Sequence, residues 1–219
     1  MLDYILKEPA GTATATVIWL HGLGDSGAGF ADIVPVLGLP QDHRIRFIFP
    51  HAPQLAVTIN NGFVMRSWYD IKTMELEGRA DIATLQQSEV LINELIEQQI
   101  DNGIAASSIA LAGFSQGGVL SLYSALRSSH KLAGIVGLSC YLASQDLPNV
   151  GAEGVNATTP IFSSHGQHDM TVPFAAGKEA ASKLAKAGFE VKWSQYPMEH
   201  WVCEEQLHNL GQWLVQRLK

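Results

Sequence analysis

One serine in this chain is flanked in a way that serves nucleophilic chemistry. Ser115 lies in Gly113-Phe114-Ser115-Gln116-Gly117, a Gly-x-Ser-x-Gly pentapeptide. The apolar run Ile109 to Ala112 precedes it, and a helix-compatible run, Val119 to Leu126, follows. Strand, sharp turn and helix form the context that makes such a pentapeptide a nucleophile elbow. A serine that stands proud of a sheet edge needs a strained bend, and the residues two before and two after it then crowd together. Glycine at 113 and 117 meets that demand. The bend also leaves the Gln116 N–H at a helix start, where it can face a developing negative charge. A glycine-flanked serine in an ordinary turn is the plainer alternative, and the flanks weigh against it.

An unactivated hydroxyl is a poor nucleophile at neutral pH, so a base must lie within hydrogen-bond reach. In this context an acid and then a base follow the serine in chain order, each on a loop after a later strand. Asp169 falls just past the strand expected from Ile161, and His200 just past the last expected strand. Asp70 and Asp146 are less well placed, and His208 lies inside the expected last helix. His165-x-x-His168-Asp169 raises a metal site, but no third ligand cluster accompanies it. We expect no metal and no organic cofactor. The glycine-rich His21-Gly22-Leu23-Gly24 supplies a second backbone donor, the Leu23 N–H, which with that of Gln116 would hold an oxyanion. An ordinary glycine turn is the alternative there. A phosphate loop fits worse, because neither Gly-x-Gly-x-x-Gly nor a lysine-bearing P-loop is present.

The elements that must position these groups are legible as an alternation of buried strands and helices. Strands are expected at Ala13–Leu20, Arg44–Phe49, Ser108–Ala112, Leu132–Leu138, Ile161–Ser164 and Val191–Tyr196, with a short edge strand, Tyr4–Lys7, beside the first of them. Phe30–Leu37 reads as a brief helix. Asp81–Gln99 reads as a long one with Ile82, Leu85, Ile92, Leu95 and Ile96 on one face. Phe174–Ala187 is an alanine-rich helix, and the last helix carries Leu207, Leu210, Leu214 and Leu218 on one stripe. Tyr141–Thr159 reads as loop. From Gln54 to Arg79 the periodicity fails, apart from a hairpin signal at Asn60-Asn61-Gly62. The expectation is one α/β domain over 1–219, with a mostly parallel central sheet and helices on both faces.

Composition narrows the function classes. The chain has 219 residues, is 47% hydrophobic and 16% charged, and carries a net charge of −7. That suits a soluble globule and argues against nucleic acid as a partner. Cys140 and Cys203 are too few for a disulfide framework and read as reduced, buried thiols. Neither a secretory signal nor an integral membrane segment is expected, which leaves a cytoplasmic location as the default.

Taken together, the motifs are similar to those of the carboxylesterases and acyl-protein thioesterases of the α/β-hydrolase superfamily. The resemblance runs in order through Trp19-Leu20-His21-Gly22-Leu23-Gly24-Asp25, Pro50-His51-Ala52-Pro53 and Ser67-Trp68-Tyr69-Asp70. It continues through the elbow, Leu138-Ser139, His165-Gly166-Gln167-His168-Asp169 and Pro197-Met198-Glu199-His200. It implies an α/β-hydrolase fold with Ser115 as nucleophile, Asp169 as orienting acid and His200 as base. Leu23 and Gln116 would be the oxyanion donors. It also implies that segment 54–79 lines an acyl channel, to which we assign Trp68, Leu55, Phe63 and Met65. Glu199 and Trp201 depart from the family pattern beside His200, and Arg66 resembles its bacterial members. The expected activity is a carboxylesterase acting through an acyl-enzyme on short- to medium-chain esters. The alternatives are an acyl-protein thioesterase, in which the apolar 54–65 residues seat a long chain rather than pack internally, a lysophospholipase, or a non-catalytic hydrolase-fold binding module. Partners would be a small acyl ester or an acylated protein, and exposed apolar residues in 54–74 would support a weak homodimer.

Overall fold

The structure, a computed structural model, describes residues 2–218. In chain order the strands are β1 (Tyr4–Lys7), β2 (Ala15–Leu20), β3 (Ile45–Pro50), β4 (Gln54–Val57), β5 (Phe63–Arg66), β6 (Ile109–Phe114), β7 (Gly134–Leu138), β8 (Ile161–Gly166) and β9 (Val191–Tyr196). The helices are α1 (Gly27–Phe30), α2 (Ile82–Asp101), α3 (Gln116–Arg127), α4 (Leu147–Ala152), α5 (Phe174–Lys186) and α6 (Glu204–Arg217). Seven strands form one sheet in the order β1-β3-β2-β6-β7-β8-β9, and β4-β5 stand apart as a hairpin. All neighbours in the large sheet are parallel except β1, which runs antiparallel to β3.

Alternation along the buried strands sends side chains to two cores, as the pleat requires. Ile18, Leu20, Ile48, Leu111 and Ile135 face α2, α3 and α5. Val17, Trp19, Phe47, Ala112 and Phe162 face the 31–37 segment and α6. Covering both faces explains why β2 and β6 are wholly buried and read as unbroken apolar runs. The expected α/β architecture is the observed one.

Several local expectations differ. The edge strand Tyr4–Lys7 pairs with β3 and not with β2, because β2 is already flanked by β3 and β6. Phe30–Leu37 is mainly a 3₁₀ stretch, Ala31–Leu37, containing Pro35. Ile82 is exposed at the start of α2, next to its Asp81 cap, whereas Leu85, Ile92, Leu95 and Ile96 are buried as expected. Both cysteines are unpaired, but only Cys140 is buried; Cys203 sits half-exposed at the head of α6. Burial pushes the Cys140 thiol up to about 12.

The region 141–159, expected as loop, contains α4 and is organised by one buried side chain. Asn156 Nδ2 donates to the carbonyls of Ala125 at 2.9 Å and His130 at 2.8 Å. Its Oδ1 accepts from the Leu132 N–H at 2.9 Å and the Thr159 hydroxyl at 2.7 Å. The end of α3 and the entries to β7 and β8 are thereby tied together. Replacing Asn156 with Leu strands several buried polar groups, so it should lower the unfolding free energy by about 2–4 kcal/mol. Urea denaturation reads this directly, and a loss below about 0.5 kcal/mol would count against the role given to Asn156.

Candidate active site

The site forms at the carboxyl ends of the parallel strands, where loops leave the sheet in opposite directions. Ser115 occupies the turn between β6 and α3 with φ 54° and ψ −119°, a conformation L-residues rarely adopt. The bend closes only because its flanks lack side chains. A Cβ at Gly113 would lie 2.2 Å from the Gly117 oxygen, and one at Gly117 would lie 2.2 Å from the Leu20 oxygen. The Ser115 N–H donates to the Leu138 carbonyl at 2.8 Å, which pins the bend to β7.

The structure brings Ser115, Asp169 and His200 together from three separate loops. The Ser115 hydroxyl and His200 Nε2 are 2.8 Å apart, and His200 Nδ1 and Asp169 Oδ2 are 2.6 Å apart. An ionised carboxylate only accepts, so Nδ1 carries the ring hydrogen and Nε2 is left to accept from the hydroxyl. Asp169 Oδ1 accepts the N–H groups of Thr171 at 2.9 Å and Val172 at 2.8 Å. Burial of the Asp169 carboxyl favours its neutral form, but His165, His200 and the Val172 N–H together outweigh it and hold the group well below the ordinary carboxylate range. Phe114 packs its ring against His200 at 4.8 Å between centroids. In this arrangement the imidazole can take the hydroxyl proton while the carboxylate holds its tautomer.

The rival residues lie elsewhere. Asp70 anchors the hairpin by accepting the N–H and hydroxyl of Thr58, both at 2.7 Å. Asp146 accepts from Asn149, and His208 is exposed on α6. His168 is exposed, and among the described residues no three His, Cys, Asp or Glu side chains gather as metal ligands.

A second set of contacts, which the sequence does not announce, holds the loop His21–Gly24 and Gln116. Trp68 was expected in the acyl channel, yet it is fully buried. Its indole N–H donates to the His21 carbonyl at 2.9 Å, and its backbone N–H donates to Gln116 Oε1 at 2.9 Å. Trp68 is thus buried as a support of the His21 loop and Gln116, not exposed on a channel wall. Gln116 Nε2 donates to the Ser67 hydroxyl and the Tyr69 carbonyl, and Ser88 donates its hydroxyl to the Trp68 carbonyl. His21 is buried, its Nε2 accepts the Ala52 N–H at 3.0 Å, and desolvation lowers its pKa, so the ring stays neutral. With its side chain so fixed, Gln116 presents its backbone N–H at the head of α3. Among the described residues, neither this N–H nor that of Leu23 donates to another backbone group. The only sequence signal for this network was the Ser67-Trp68-Tyr69-Asp70 string.

The other residues assigned to the channel lie on the β4-β5 hairpin. Gly24 donates its N–H to the Arg66 carbonyl at 2.8 Å, and the Met65 sulfur lies near Gly24, so the β4-β5 hairpin abuts the Leu23 loop. Leu55 and Met65 are half-buried there. Phe63 is 67% exposed, Met170, next to Asp169, is 91% exposed, and Trp201, next to His200, is 51% exposed. Glu199 is exposed to solvent, which screens its charge beside His200.

A family model described as phospholipase/carboxylesterase matches residues 3–217. The chain belongs to that family. Among curated relatives, acyl-protein thioesterase 1 of Neurospora crassa is 39% identical over 214 residues, covering 94% of this chain and 87% of that protein. Acyl-protein thioesterase 1 of Emericella nidulans is 41% identical over 189 residues, with 81% of this chain and 78% of that protein covered. The crystal structure of Zea mays acyl-protein thioesterase 2 superposes with a TM-score of 0.87 at 27% identity, each chain being fully covered. This member of the phospholipase/carboxylesterase family is accordingly a serine hydrolase of the esterase or thioesterase type.

The depressed pKa of Asp169 carries a stability consequence. A carboxyl held below its ordinary value of 3.8 stabilises the fold above that value, and the contribution is lost as pH falls below it. The stability difference between the wild type and Asp169→Asn should therefore shrink as the pH is lowered from about 5 to about 3. Unfolding midpoints across that range check it; a constant difference would contradict the assigned direction.

Proposed function

We propose that Ser115, His200 and Asp169 are the catalytic triad of this hydrolase, and that its preferred substrates are acyl thioesters or esters with a long apolar chain, acylated proteins among them. The hydrogen-bonded chain from Ser115 through His200 to Asp169 carries the reading of the reaction. His200 Nε2 takes the Ser115 proton as Oγ attacks the carbonyl carbon, and Asp169 stabilises the imidazolium. The Leu23 and Gln116 N–H groups receive the oxyanion. His200 then protonates the leaving thiolate or alkoxide, which departs and leaves an acyl-Ser115. His200 next takes a proton from water as the water oxygen attacks the acyl carbon; the tetrahedral intermediate then collapses, the carbon–Oγ bond breaks, and His200 returns the proton to Ser115 Oγ as the acid leaves.

Two observations support a long acyl chain over a short one. The curated relatives that align with nearly the whole chain are acyl-protein thioesterases. Exposed Met170 and Trp201 adjoin Asp169 and His200 in the chain, and the hairpin that abuts the Leu23 loop carries exposed Phe63 with half-buried Leu55 and Met65, apolar side chains that an acyl chain can cover. Leu76, Leu142 and Leu147 also line a groove of about 320 Å³ between this segment and α4. The family description, phospholipase/carboxylesterase, supports ester hydrolysis without specifying an acyl length.

Ser115→Ala should lower kcat by roughly 10³-fold or more on a p-nitrophenyl ester, and unchanged turnover would remove the triad. The acyl preference has its own measurement, kcat/KM over acyl lengths on both oxygen esters and thioesters. We expect it to rise with length and to favour thioesters. Phe63→Ser, at an exposed position, should cost about tenfold on the long chains and leave the acetyl substrate within about twofold. A flat profile, or equal losses on short and long chains, would return the enzyme to the short-ester reading.

A further inference from the structure

One buried imidazole beside the triad takes no part in the chemistry above. His165, the penultimate residue of β8, is fully buried, and its Nε2 lies 2.9 Å from the Val172 carbonyl and 3.3 Å from Asp169 Oδ2. Both neighbours are acceptors, so Nε2 carries the hydrogen. The other ring nitrogen, Nδ1, has no hydrogen-bond partner among the described residues. It faces α5 at Gly177, where a Cβ would lie only 2.0 Å away, and Phe174 meets the ring edge-on at 6.1 Å.

We propose that His165 is a positioning residue for Asp169, whose shared Nε2–H locks the 169–172 turn so that Oδ2 is presented to His200. This rests on the triad reading given above. The Val172 peptide is gripped from both sides: its N–H donates to Asp169 Oδ1 and its carbonyl accepts from His165. The same imidazole hydrogen leans toward Oδ2, the oxygen that His200 uses. A donor at this place favours the carboxylate, because Nε2 faces Asp169 Oδ2 as well as the Val172 carbonyl. Asp169 is the titratable group that faces the ring. Arg79 meets the same turn from segment 54–79, with its Nη2 3.4 Å from the Thr171 carbonyl. Sequence spacing makes His165 look like a metal ligand, but its surroundings make it a brace.

The test separates the donor position from mere burial. His165→Gln places an amide N–H where Nε2 is, His165→Asn places it toward the α5 wall, and His165→Leu removes it. For the p-nitrophenyl ester, we expect Leu and Asn to lower kcat by about tenfold with KM unchanged, and Gln to recover most of the loss. The rate of fluorophosphonate labelling at Ser115 should follow kcat. Folded Leu and Asn variants with wild-type kcat and labelling rate would overturn the proposal, as would equal kcat values for Gln and Asn. The Gln–Asn pair decides the matter even where the Leu variant does not fold. Ser115→Ala is run alongside: turnover surviving there removes the triad reading, whereas a dead Ser115→Ala with unaffected His165 variants removes only this inference.

Discussion

The backbone of Ser115 is the constraint on which the site depends. A non-glycine residue at φ 54° and ψ −119° costs on the order of 1–3 kcal/mol and persists only where its surroundings over-determine it. Here they do. β6 is buried in the middle of the sheet, α3 packs directly on it, and the Ser115 peptide is bonded to Leu138 on one side and to Val119 on the other. The Gly113–Gly117 approach lets strand and helix close to this distance. Relaxing the bend would turn Oγ away from His200 and shift the Gln116 N–H at the head of α3, so nucleophile and oxyanion donor are set by one conformational choice.

The rest of the site follows from how polar groups are satisfied around that bend. Gln116 cannot leave its side-chain amide unpaired when buried, and the 67–69 segment provides an acceptor for its N–H₂ and a donor for its oxygen. The same segment reaches His21 through the Trp68 indole, so the two loops that bear the Leu23 and Gln116 N–H groups share one brace. On the other side the Asp169 turn is closed by its own peptide N–H groups and by His165. Donors thus surround the buried carboxylate, and His200 is the more exposed member of the pair it forms with Asp169.

Much of this was legible in the sequence because two strong local patterns coincide. Wholly apolar runs such as Val17–Leu20 and Ile109–Ala112 fit strands covered on both faces, and a strand followed at once by Gly-x-Ser-x-Gly and a helix admits few geometries. Asp169 and His200 could be chosen among rivals because each follows a strand. Misreadings arose where a residue's type fits two roles. Trp68 is as suited to an acyl channel as to a core, and burial decides for the core. The stretch 141–159 hides α4 because its order rests on Asn156, three of whose partners lie 24 to 31 residues away. The edge strand β1 was assigned to β2 because local pattern carries no information on which neighbour a strand pairs with.

By itself, then, the sequence determined the fold class and singled out Ser115, Asp169 and His200 as candidates in that chain order, since these follow from hydrophobic periodicity, steric limits on glycine-flanked turns and short-range chemistry. Only the tertiary structure decided which side chains touch the site and which stand behind it. Burial and hydrogen-bond partnership are properties of segments far apart in the chain. They buried Trp68 among the supports of the site, left Phe63, Met170 and Trp201 exposed, and set His165 against Asp169.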